Sequence, residues 1–305
     1  MTIQHAYSYE ATLKDSLKVN WTVDEVIGGG KRLDWSRPFL PDSLARTAEL
    51  RSLSAPEKLI LNHIRGATYL HLFGLVEEFI LPFTIDRARD SHGRAKTQTR
   101  ALLNFAEEEA KHQQLFERFS AEFRRGFSTP LEFIGPASAI AEQVLGHSVL
   151  SVAILILHLE WLTQRHYIES IKTDEKLDPL FVELLTRHWQ EEAQHAKLDT
   201  LVVSELAERA TPAQVDAAID EFLAIGGILE GGLRAQVEFD LTALEKAIGR
   251  SLAEAEKQEI REVQIRSYRY TFLVSGLEQK NFVEAVVSLS ARGLEKVKTT
   301  AVALS

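Results

Sequence analysis

Apolar residues recur along most of this chain with the 3.6-residue period of helices that bury one face, and almost nowhere with the alternation of a half-buried strand. The periodic stretches cover 55–81, 95–125, 137–171, 179–208, 212–247 and 251–290, and each predicts a helix. The punctuation between them agrees. Ser54-Ala-Pro-Glu57, Thr211-Pro-Ala-Gln214 and Ser251-Leu-Ala-Glu254 each set a hydroxyl three residues ahead of an acid or amide, so that side chains satisfy the free donors of a helix start. Asp178 followed by Pro179 reads as a cap and a first-turn proline. Residues 1–53 lack the pattern. Trp21, the glycines at 28–30, Trp35, Pro38 and Pro41 suggest an arm that wraps a helical body with a few anchors. The expected fold is all-α: an arm at 1–53, a four-helix bundle at 54–208 and further helices at 209–305 packed on it, in one compact domain.

Polar residues inside the apolar stripes change the picture. The second helix carries Glu109-Ala-Lys-His112 and the fourth Glu192-Ala-Gln-His195. Residues three apart share a helical face, so a carboxylate and an imidazole reach toward one point. The flanks say which way that face looks. Leu102, Phe105, Phe116, Phe119 and Phe123 lie on the arc of Glu109 and His112, and Phe181, Leu185, Val202, Val203 and Leu206 on that of Glu192 and His195. An ionised carboxylate facing a core is strongly unfavourable without a counter-charge. Two such pairs ask for a cation.

The other two bundle helices each offer one more inward acid. Glu160 ends the apolar run VLSVAILILHL, on the side of Ala153, Ile156 and Leu157. On 55–81 the choice lies between Glu77 and Glu78. If Lys58, Asn62, Arg65 and Tyr69 mark the outward face, the opposite angle holds Ile60, Ala67, Gly74 and Glu78, which favours Glu78 as the ligand and keeps Glu77 as the second choice.

Composition narrows the chemistry. The sequence has no cysteine, which removes disulfides, zinc–thiolate sites, iron–sulfur clusters and thiol catalysis, and leaves nitrogen and oxygen donors for any transition metal. With 35 basic against 44 acidic residues and a formal charge of -9, a nucleic-acid partner is not expected. Gly28-Gly29-Gly30-Lys31 lacks the spacing of a phosphate loop and reads as a turn. The first residues lack the order of a signal peptide, and the most apolar run, Val149 to Leu159, falls short of the ~20 residues of a membrane span. A cytoplasmic protein is expected, without a membrane.

Four carboxylates and two imidazoles from four inward faces resemble the ferritin-like di-metal carboxylate superfamily, carried here by Glu78, Glu109, His112, Glu160, Glu192 and His195 over roughly 55–208. His188, one turn before Glu192, makes the last helix similar to the p-aminobenzoate N-oxygenase type of di-iron enzyme. By that resemblance His188 is a seventh ligand, with a hydrogen-bonding role beside the ligands as its alternative. The resemblance also implies that Glu108 and Glu191 bond the ligand histidines, against a reading as solvated surface acids, with Asp199 a second candidate for that work. It implies two iron ions, with manganese admissible in either position, O2, a small organic substrate and an external electron donor. Phe116 replaces the radical tyrosine of ribonucleotide reductase small subunits, and Gln164 the threonine of bacterial multicomponent monooxygenases. The implied function is an oxygenase or oxidase. A ferroxidase or metal-handling protein without an organic substrate is the alternative.

The remaining histidines are read as structural, with His63 and His71 also candidates for lining a cavity. The last hundred residues bring no second ligand set. Their glycine pairs at 226–227 and 231–232 permit close helix approach, and the segment is expected to pack on the bundle, closing a substrate cavity or forming a homodimer interface.

Overall fold

The computed structural model describes residue 3 and residues 5–305. The arm carries three short helices, α1 (Tyr9–Ser16), α2 (Val23–Ile27) and α3 (Asp42–Ala45), and leads into the long α4 (Ala55–Ser91). There follow α5 (Lys96–Gly126), α6 (Ala137–Leu145), α7 (Val149–His166), α8 (Pro179–Glu208) and α9 (Pro212–Ile248). The C-terminal part continues through α10 (Glu254–Arg269), the single turn α11 (Ser275–Leu277), α12 (Lys280–Leu289) and α13 (Ala291–Leu304). Among the described residues there is no strand.

The helix starts at 54, 178 and 211 form as expected. Glu57 accepts the Ser54 N–H at 2.7 Å, Gln214 accepts that of Thr211 at 2.9 Å, and Asp178 Oδ1 accepts that of Phe181 at 2.6 Å. The start expected at Ser251 does not. The helix begins three residues later, where Glu256 closes on the Ala253 N–H at 2.6 Å.

Three predicted helices differ from the structure. The first runs past 81, through Pro82, to Ser91. Proline costs the helix one hydrogen bond and about 3 kcal/mol, but Phe83, Thr84 and Ala88 beyond it are buried, and burying Phe83 alone is worth about 1.5–3 kcal/mol. The stretch 137–171 is two helices, because the chain turns at Gly146 and restarts where Ser148 Oγ accepts the Ser151 N–H; a π-helical turn, Tyr167–Ile171, ends α7. The stretch 251–290 breaks after a π-helical turn at Tyr270–Val274, with Gln279 capping α12 and Ser290 capping α13.

The bundle is made of α4, α5, α7 and α8, with α4 against α5 and α7 against α8. An 18-residue window of α4 is apolar and long enough to cross a membrane by composition, but 67% of it is buried inside the protein, as befits a core helix. At the N-terminal end of α4, Leu61 and Ile64 pack with Leu241, Leu244, Ile260 and Val263 of α9 and α10. Arg65 is buried there. Its guanidinium lies 3.2 Å from the centroid of the Tyr268 ring, donates to Ser267 Oγ at 3.0 Å, and sits 3.9 Å from Asp240.

The arm is anchored by its tryptophans and by Asp178. Trp35 fills the space above Gly126, where an added Cβ would lie 2.3 Å from the indole nitrogen. Asp178 Oδ2 accepts the Asp34 N–H at 2.7 Å, so the carboxylate that caps α8 also pins the arm. The glycines at 28–30 form a turn in which Gly29 and Gly30 have φ of 62° and 83°, a region that favours glycine.

Candidate metal centre

The inward faces of the four bundle helices meet in a buried polar cluster. α4 brings Glu77, α5 brings Glu109 and His112, α7 brings Glu160, and α8 brings His188, Glu192 and His195, all between 0% and 4% exposed. Their donor atoms form two overlapping groups, each within 4.8 Å: Glu77, His112, His188 and Glu192 in one, and Glu109, His112, Glu192 and His195 in the other.

In the first group, His112 Nδ1 lies 3.2 Å from Glu192 Oε1 and 3.6 Å from Glu77 Oε1, and His188 Nε2 lies 2.7 and 3.5 Å from the same two oxygens. In the second, His195 Nδ1 lies 2.8 Å from Glu109 Oε1 and 3.0 Å from Glu192 Oε2. Glu192 thus gives one oxygen to each group. Glu160 stands beside Glu192 from α7.

Glu78, the acid favoured from the sequence, is exposed, and Glu77 takes the inward place. The residues taken to mark the outward face of α4 misled the angle, because three of them are buried. Asn62 holds the arm by accepting the N–H groups of Phe39 and Leu40, Arg65 pairs with Asp240, and Tyr69 bonds His166 at 3.0 Å.

Behind the cluster, Glu108 and Glu191 are buried, which overturns the surface-acid reading. His195 Nε2 meets Glu108 Oε2 at 2.9 Å and His112 Nε2 meets Glu191 Oε2 at 2.9 Å. Glu191 also receives Lys111 Nζ at 2.5 Å. Asp199 is buried one turn past His195, with its Oδ2 unpartnered. Sequence reasoning missed Ser16 and Trp21 as neighbours of the site. Ser16 donates to Glu108 Oε1 at 2.5 Å, and the Trp21 ring lies parallel to that of His112 at 6.1 Å. No local motif marks either, since both reach the site through the path of the arm.

Phe105 stacks on the His195 ring at 4.0 Å, while Phe73 and Phe116 pack against His188 at 5.7 and 5.2 Å, so the walls around the donors are apolar. His63 bonds the Arg37 carbonyl, His71 that of Ile134 and His158 that of Leu273, which accounts for each without a ligand. Gln164 is buried and donates to the Trp189 carbonyl.

Crowding sets the protonation. Burial pushes Glu77 up to about 8, the charge of Glu109 adding to the effect and the imidazoles of His188 and His112 opposing it. Burial, with the charges of Glu192 and Glu109, also holds Glu160 well above the usual carboxylate range. Against burial, the His188 and His195 imidazoles hold Glu192 well below it. Burial likewise disfavours charge on His112 and His195, yet the carboxylates around them keep both well above the usual histidine value.

The donor set fits a pair of metal ions. Both oxygens of Glu77, both of Glu109, Glu160 Oε2 and His112 Nδ1 are buried without a hydrogen-bond partner, and unsatisfied buried carboxylates are costly unless a cation completes them. Hard oxygen donors with imidazoles suit iron-class ions.

A helical bundle whose carboxylates and imidazoles converge in two overlapping groups is a ferritin-like di-metal carboxylate protein. The chain matches the family described as p-aminobenzoate N-oxygenase AurF over residues 8–230, and it belongs to that family. It is a di-metal oxygenase or oxidase, an enzyme that uses O2 and a substrate. No curated protein matches it in sequence. Among solved structures, an R2-like ligand-binding oxidase variant with a Mn/Fe cofactor is similar at 13% identity and a TM-score of 0.47, covering 90% of this chain and 94% of that one. Another variant, reconstituted with Fe/Fe, is similar at 13% identity and 0.45, covering 88% and 93%. Likeness this distant assigns no chemistry.

Proposed function

We propose that the protein oxygenates or oxidises a small organic substrate with O2, and that Glu77, Glu109, His112, Glu160, His188, Glu192 and His195 hold the two ions. Iron is the expected metal, with manganese admissible in one or both positions. The observation that carries this reading is the two overlapping donor groups with their unpartnered carboxylate oxygens. Glu77, His112 and His188 would hold one ion and Glu109, Glu160 and His195 the other, with Glu192 offering an oxygen to each donor group. When bound, the ions supply O2 activation, which the protein's own side chains cannot provide.

The chain's own work is positional. Glu108 and Glu191 each accept from an imidazole Nε2, which leaves Nδ1 of His195 and His112 facing the centre. Phe73, Phe105, Phe116 and Trp21 keep water from the donors. Asp199, buried one turn past His195, is read as a second residue that supports that imidazole.

We take an aromatic amine as the first substrate class to test, after the family's description. Reducing equivalents come from an external donor, and the protein is placed in the cytoplasm. Exposed Leu145, Val149 and Ile228 suit coverage by a second copy, and the homodimer is tested by light scattering. The arm at 1–53, the bundle at 54–208 and the helices at 209–305 are read as one compact domain, an assignment supported by a core that runs from Ile3 to Ala301.

The test loads the protein with Fe(II) under anaerobic conditions, adds O2 and a reductant, and follows an aromatic amine by mass spectrometry. An oxygenated product that disappears in the His195→Ala variant supports the proposal. Iron oxidation with no organic product, and iron loading beyond two ions per chain, would favour the ferroxidase alternative.

A further inference from the structure

Both histidines of the Glu-x-x-His motifs are held from behind by a carboxylate, and each carboxylate is in turn held by a group on or beneath the N-terminal arm. Behind His195, Glu108 takes the imidazole Nε2 at 2.9 Å on one oxygen and the Ser16 hydroxyl at 2.5 Å on the other. Asn104 Nδ2 donates to Ser16 Oγ at 2.8 Å. Behind His112, Glu191 takes the imidazole Nε2 at 2.9 Å and Lys111 Nζ at 2.5 Å, and that ammonium lies 4.3 Å from the Trp21 ring centroid. Ser16 is 2% exposed and Trp21 3%, and Ser16 is 92 residues distant in sequence from the acid it bonds.

The segment between Ser16 and Trp21 therefore covers both sides of the site. A carboxylate gripped on both oxygens cannot rotate, so the imidazole it accepts from keeps its tautomer and its direction. With the arm lifted, Glu108 would lose Ser16 to water, Lys111 would lose its aromatic cover, and both histidines would gain rotational freedom.

We propose that the arm is a working part of the metal centre: Ser16 and Trp21 are positioning residues, and arm docking and metal loading favour each other. This rests on the metal-binding reading above. The coupling is reciprocal by thermodynamic necessity, so a change in the arm shows in metal affinity and metal shows in the arm. Because Ser16 acts only on the His195 side, its loss should weaken one ion and spare the other.

The test uses the full chain in two measurements under anaerobic conditions: calorimetric titration with Fe(II), and limited trypsin digestion at the exposed Lys14, Lys18 and Lys31 of the arm. Wild type is expected to bind two ions and to be cut more slowly in the arm once loaded. Ser16→Ala should weaken one binding step by ~10–100-fold, the size typical of losing a group that orients a ligand, and should be cut faster when loaded. Asn104→Ala, which removes the other bond to Ser16 and leaves Glu108 intact, should act in the same direction to a smaller extent. Leu17→Ala, at a 58% exposed neighbour on the same arm, should change neither readout. Two ions bound with wild-type affinity by Ser16→Ala, or arm cleavage indifferent to loading, would overturn the linkage alone. A wild-type chain that binds no Fe(II) would overturn the metal-centre reading with it.

Discussion

Glu77 and Glu78 are adjacent acids with opposite environments, and substituting each by glutamine separates a ligand from a bystander. Glu77 is 2% exposed, has no hydrogen-bond partner on either oxygen and is pushed by burial up to about 8, against 4.5 for an ordinary glutamate. In the metal-free protein a raised folded-state value means that the unfolded chain ionises first. The contribution to stability is intact below about 4.5 and is lost as pH rises toward about 8. Each pH unit in that window costs about 1.4 kcal/mol, so at pH 7 the penalty is about 3 kcal/mol. Glu77→Gln removes it. The metal-free variant should melt higher than metal-free wild type at pH 7 by about 6 °C, taking ~2 °C per kcal/mol for a chain of this size, and the gap should close toward pH 4.5. The same variant should bind one ion fewer, or bind one ion far more weakly, by elemental analysis. Glu78→Gln, on the exposed side, should change melting by less than about 0.5 kcal/mol and leave the metal content intact. The reasoning is refuted if Glu77→Gln keeps two tightly bound ions, or if the Glu78 variant is the one that loses metal.

Other substitutions probe the surroundings. Arg65→Met leaves the buried Asp240 carboxylate without its counter-charge and should cost about 3–5 kcal/mol in urea unfolding; adding Asp240→Asn should recover part of that loss. Gly276→Ala places a Cβ 2.4 Å from His158 Nε2, which is held by the Leu273 carbonyl, and should lower stability by about 1–3 kcal/mol on thermal melting. Of the four tryptophans, Trp21 is stacked 6.1 Å from His112, one of the proposed ligands. Trp21→Phe should therefore reduce the fluorescence quenching expected on Co(II) loading; quenching unchanged in that variant would contradict a metal beside His112.

The bundle helices and both Glu-x-x-His pairs were legible in the sequence because each depends on spacing along one helix. Glu109, His112, Glu192 and His195 share arcs with phenylalanines and leucines, and the structure buries all four. The angle of α4 was not legible, because it was judged from polar residues assumed to face water. Asn62 and Arg65 are buried by partners from the arm and from α9, over distances in sequence that no periodicity records. The same limit hid Ser16 and Trp21, whose roles come from the course of the arm. Helix continuity through Pro82 and the break at Gly146 were missed for a related reason. In both places tertiary burial or a local cap decides against the pattern of the surrounding twenty residues.

The most direct test of the two-ion centre is anomalous diffraction at the iron edge from crystals of the protein loaded anaerobically with Fe(II). Two peaks are expected, one among Glu77, His112 and His188, the other between Glu109 and His195, with Glu192 reaching both. A single peak, or peaks away from these side chains, would contradict the account.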